Sequence, residues 1–100
     1  MSKVYIIQDL GNFNFLPAEE FGEVTACLTS RVSYYAMTRA FSQLHHALRN
    51  LGPDDWLVPT GHPALIAYAG YVMAMRTGKL RVLVWDNQTR KYVPTEYEVK

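Results

Sequence analysis

The chain has 100 residues, 49% of them apolar and 19% charged, enough for one domain burying roughly two-thirds of the surface its unfolded form exposes. A net charge of +1 argues against a dedicated nucleic-acid binder, because such domains are usually strongly basic. Cys27 is the single cysteine, which excludes an intrachain disulfide and a thiolate metal cluster and fits a reducing compartment.

In chain order, Val4-Tyr5-Ile6-Ile7 is rich in β-formers and predicts a strand ending at Gln8-Asp9. This apolar run is too short for a signal peptide. Leu10 to Pro17 reads as a loop whose large apolar residues pack down, and Pro17-Ala18-Glu19-Glu20-Phe21 as one helical turn stopped by Gly22. Val24, Ala26 and Leu28 alternate with Glu23, Thr25 and Cys27, the pattern of a second strand. Tyr34, Met37, Phe41, Leu44, Leu48 and Leu51 then form one apolar stripe at helical spacing, with Ser33 as cap and Gly52-Pro53 as stop.

Trp56 to Val58 reads as a short buried strand and Thr60-Gly61-His62 as a tight turn. A helix from Ala64 to Met75 follows, with Pro63 in its first turn, and Leu80 to Trp85 returns as a strand. Strand, helix and strand with short connections imply a parallel pair. Asp86 to Arg90 is turn chemistry, and Lys91-Tyr92-Val93 comes back antiparallel, with Pro94 suited to an edge. The expected fold is therefore α/β, a mixed sheet of four or five strands with two principal helices, in the order β-β-α-β-α-β-β. All of residues 1–100 fall in one domain.

The Ala64–Met75 helix has no polar face, and its longest apolar run is far below the roughly 20 residues needed to span a bilayer. Its outer side, with Ala67, Gly70, Tyr71 and Ala74, is expected to contact a second subunit, as is the edge strand near Tyr92. A homodimer is the predicted state.

Parallel strands place their carboxyl ends on one edge, where α/β domains bind ligands. That edge would bring Thr60, Gly61 and His62 together with Asp86 and Asn87, and with Gln8 and Asp9 if the first strand is also parallel. Free amides at the helix start would favour an anion, and Trp56 and Trp85 would supply stacking for a nucleotide. The plainer roles are a helix cap for His62, backbone geometry for Gly61 and a hairpin turn for Asp86-Asn87. His45 and His46 are adjacent and diverge on a helix, Glu19 and Glu20 are poorly placed as an acid–base pair, and no serine sits in a nucleophile elbow. No catalytic residue, metal or cofactor is assigned.

Asp55 to Ile66, Leu83-Val84-Trp85-Asp86 and Arg90-Lys91-Tyr92-Val93-Pro94, with Pro17 to Glu23, give the pattern Leu-Val-x-Thr-Gly-x-Pro…Leu-x-Trp-Asp. In these segments the chain resembles a group of small proteins encoded by tailed bacteriophages. The resemblance implies a small α/β fold and a setting in the host cytoplasm, and carries over no activity. The expected function is a non-enzymatic phage accessory protein that engages a host protein. One alternative is a binder of a small anion such as a nucleotide at Thr60-Gly61-His62. Another is a hydrolase with His62 as general base oriented by Asp86.

Overall fold

The computed structural model describes residues 2–99. Strand β1, Lys3–Gln8, is buried at every position from Val4 to Gln8. A strand can be apolar on consecutive residues only if both of its faces are covered, which places it inside a parallel sheet. Strands β2 (Glu23–Leu28) and β3 (Trp56–Val58) flank it in parallel, so Tyr5 stands between Thr25 and Leu57. Strand β4 (Lys79–Asp86) is parallel to β3, and β5 (Lys91–Glu98) runs antiparallel along β4. The sheet is thus five-stranded and mixed, in the order β2-β1-β3-β4-β5. This is the expected α/β architecture.

The chain steps from β1 to β2 in one direction across the sheet and from β2 through β3 to β4 in the other. Connections of a single hand must change face when the direction reverses. Accordingly helices α1 (Met37–Ala47) and α2 (Pro63–Thr77) pack on Tyr5, Ile7 and Leu57. The opposite face carries Val4, Ile6, Val58, Leu83 and Tyr92, packed with Phe15 and Ala18 from the connection between β1 and β2. That connection includes a 3-10 turn, Leu16–Phe21, opening on Pro17 and ending at Gly22 as the sequence suggests.

The helix stripe holds for Leu44, Leu48 and Leu51, all buried, with Met37 and Phe41 at its margin and Ala40, outside the predicted stripe, also in the core. It fails at Tyr34, which lies in a short 3-10 turn and is 76% exposed. Ser33 caps that turn, its Oγ accepting from Tyr35 N at 3.2 Å. The helix also ends earlier than Gly52. Arg49 N donates to His46 O and Leu51 N to Leu48 O, so the backbone tightens to three-residue bonds while Leu48 and Leu51 stay in the core.

Helix α2 is capped at both ends. His62 Nδ1 accepts from Ala64 N at 3.0 Å, and Gly78 closes the other end in the left-handed region at φ 73°. Ala67, Tyr71 and Met75 are exposed on its outer side, with Ala74 half-buried. Gly70 instead faces the sheet, because a Cβ there would sit 3.7 Å from Leu80 Cδ1. Tyr92 is likewise turned inward, 9% exposed and edge-on to Trp85 at 5.0 Å. Neither therefore presents the outer surface expected of it. Pro94 lies, as expected, on the edge strand. Among the described residues no helix is long and apolar enough to cross a membrane.

One staple has no signature in the hydrophobic pattern. The buried Asp55 carboxylate accepts from Lys3 N at 2.8 Å and from Gly52 N at 2.7 Å, joining the start of β1 to the loop before β3. Hydrogen bonds to a charged group contribute about 1.5–3 kcal/mol each. Asp55→Ala is expected to lower unfolding free energy by about 3 kcal/mol in urea titrations. A loss below about 1 kcal/mol would show that the staple is not needed.

Candidate functional site

The two directions of chain travel diverge between β1 and β3. In open α/β sheets such a switch point leaves a crevice at the carboxyl ends of the strands. A crevice of about 610 Å³ lies there, between the loop after β1, the segment after β2 and the turn before α2. Gln8, Thr60, Gly61 and His62 line it, with Phe13, Arg31 and Tyr34 at the same opening.

Its polar floor is tied together. Gln8, 4% exposed, donates through Nε2 to Ser30 O at 2.9 Å and accepts at Oε1 from His62 N at 2.8 Å. Its carbonyl accepts from the Thr60 hydroxyl at 3.0 Å. Gly61 crosses directly over this side chain at φ 112°, so close that a Cβ would lie 2.4 Å from Gln8 Cβ. Gly61 is thus required for backbone geometry and close approach.

The amides on which an anion would depend are already bonded. His62 N is held by Gln8, Pro63 has no N–H, and Ala64 N bonds His62 Nδ1. Leu65 N and Ile66 N both bond His62 O. The helix start keeps its positive field but presents no unbonded donor in its first turn. Because Nδ1 accepts from Ala64, neutral His62 carries its proton on Nε2, and its ring stands edge-on to Tyr34 at 5.3 Å.

Asp86, Asn87 and Asp9 do not line the crevice. Asp86 accepts from Gln88 N and the Thr89 hydroxyl, and these bonds hold its carboxyl below the usual range. Asn87 Oδ1 accepts from Trp85 Nε1, and Asp9 Oδ1 from Gly11 N. No hydrogen bond joins His62 to Asp86, so the geometry needed for a His62–Asp86 base pair is missing. Trp56 packs against Phe21 and under the Arg81 guanidinium, and Trp85 against Tyr92, so neither ring reaches the crevice. Among the described residues no group of three or more His, Cys, Asp or Glu is placed to hold a metal.

Phe13 and Tyr34 are 69% and 76% exposed, and with Leu10, Val32 and Pro59 they give the crevice an apolar rim. Sequence reasoning assigned Phe13 to a packed loop and Tyr34 to the helix stripe. The one available signal was that Tyr34-Tyr35 directly follows the capping Ser33, before the helix can bury it.

A model of the family described as phage Pam3 gp32-like protein matches residues 2–99. The chain belongs to that family. Among curated proteins and among solved structures, nothing matches it. The match supports the resemblance to phage proteins, while the crevice geometry is this chain's own.

Gly61→Ala is expected to destabilise the fold by about 3 kcal/mol, from a strained φ together with overpacking against Gln8. It should also raise amide exchange at His62, whose bond to Gln8 must open. Unchanged thermal unfolding and unchanged exchange at His62 would contradict the close approach.

Proposed function

We propose that this phage protein is a non-enzymatic binding module that engages a host protein through the rim of the switch-point crevice. The observation that carries this is the combination of a self-bonded polar floor with exposed aromatic and aliphatic side chains around it. Gln8, Thr60 and His62 already hold one another, whereas Phe13 and Tyr34 leave large apolar surface in water. Clustered aromatics with a nearby arginine are the residue types that dominate protein–protein binding energy. Arg31 at the same opening would favour an acidic group on the partner. A host-cytoplasmic setting accompanies this proposal.

A pull-down from host lysate tests it. The parent protein is expected to retain a host protein that the Phe13→Ser, Tyr34→Ser double variant loses by roughly tenfold or more, with its fold intact. Equal retention by both forms, or turnover of a substrate in place of retention, would defeat the proposal.

We further propose a homodimer through the outer side of α2. Ala67, Tyr71 and Met75 are exposed there, and Val84, Val93 and Tyr97 are exposed on the helix-bearing face of β4 and β5. Ala67→Glu would force a charge out of water on association. Light scattering should give a dimer for the parent and a monomer for Ala67→Glu. A parent that stays at 11.4 kDa at high concentration would remove the dimer.

A further inference from the structure

A second cavity, about 600 Å³, opens on the helix-bearing face between α1 and the edge strand β2. Its size is that of small-molecule sites. Lys3, Arg49 and His46 line it together with the Thr25 hydroxyl and the Asn50 amide, and no carboxylate does. The ion pairs among the described residues are Lys79–Glu96 and Arg81–Glu96, so no described carboxylate forms an ion pair with Lys3 or Arg49. Glu23, the register partner of Lys3 on β2, does not line the cavity.

The distinctive group is Tyr5. It lies on β1 in the middle of the sheet, is 3% exposed, and lines the cavity. Its hydroxyl bonds no described protein group. Since no side-chain oxygen is sealed away without a partner, the remaining surface of this hydroxyl opens into the cavity. A hydroxyl that faces a cavity and has no protein partner takes its hydrogen bond from water or from a ligand. Burial, with the Asp55 carboxylate behind it, raises the Tyr5 phenol above its ordinary value. It is therefore a protonated donor at neutral pH.

The opposing field is the end of α1, which presents about half a negative charge. Part of it is already countered, since Arg49 donates to His46 O from both its backbone N and its Nη1. Asp55 is engaged by two backbone amides and does not line the cavity. Two full positive charges outweigh the residual helix end.

We propose that this cavity binds a phosphomonoester, its phosphate set against Lys3 and Arg49 and receiving a hydrogen bond from the Tyr5 hydroxyl. A dianion matches two unpaired cations, and the guanidinium fork suits phosphate oxygens. The volume left beside α1 takes the organic part, within reach of Asn50.

Inorganic phosphate and phenyl phosphate are the probes, titrated into the full chain by NMR at constant ionic strength. Saturable shifts are expected at Tyr5, Thr25 and Arg49, with the ester binding more tightly than the free ion. Lys3→Gln and Arg49→Gln should each weaken binding roughly tenfold, as expected for loss of a charge-assisted hydrogen bond. Tyr5→Phe should weaken it several-fold without lowering the thermal midpoint, while Arg39→Gln, on α1 but outside the cavity, should leave it unchanged. Shifts that grow linearly without saturation, parental affinity in Tyr5→Phe, equal losses in Arg39→Gln and Arg49→Gln, or an ester no tighter than phosphate would each overturn the assignment.

Discussion

The Gln8 side chain is the knot on which the carboxyl edge of the sheet depends. One amide spans from the segment after β2, at Ser30, to the first residue before α2, at His62. Its own carbonyl takes the Thr60 hydroxyl. Being buried, the amide must satisfy both its donor and its acceptor inside the protein, and the chain can bring His62 N near enough only if Gly61 has no side chain. The sequence Thr-Gly-His-Pro thus follows from one buried glutamine. The hydroxyl, the missing Cβ, the capping imidazole and the missing N–H each meet a separate requirement of the same corner.

This arrangement changes what the edge offers chemically. A helix start with unbonded amides is an anion site, whereas one whose amides are held by Gln8 and His62 is a closed surface. The imidazole that sequence reasoning placed as a possible base is a cap, and the carboxylate meant to orient it belongs to a hairpin turn. What this edge leaves in water is the apolar rim of Phe13 and Tyr34. A second group of polar side chains, Tyr5, Lys3 and Arg49, lines the cavity at the other end of the helix layer, beside β2.

Much of the fold was legible because its elements are periodic or punctuated. The unit from Trp56 to Trp85 was readable from a buried run, a proline in the first helical turn and short connections. The hairpin announced itself by Asp86-Asn87 and Pro94. The site was less legible for a physical reason. Gln8 and His62 are 54 positions apart, as Asp55 and Lys3 are 52, and single side-chain-to-backbone bonds leave no periodic trace. The burial errors share a cause too. Tyr92 and Gly70 were placed on outer surfaces, but the connection carrying Phe15 and Ala18 covers one face of the sheet and Leu80 lies against Gly70 on the other. Tyr34 fits the helical stripe in spacing, yet the helix begins only after it.

The central strand comes first in the chain but finds its neighbours late. β1 pairs with β2 about 20 positions on and with β3 more than 50 positions on, and its first amide is held by Asp55. Contacts so distant in sequence carry a loop-closure cost before they give any stabilisation, and parallel sheets assemble slowly for that reason. During synthesis, the segment Val4–Ile7 therefore leaves the ribosome before either of the strands it pairs with in the sheet. It stays sticky until Trp56–Val58 emerges to cover its second edge. That interval is the stage of folding most open to aggregation or to capture by chaperones.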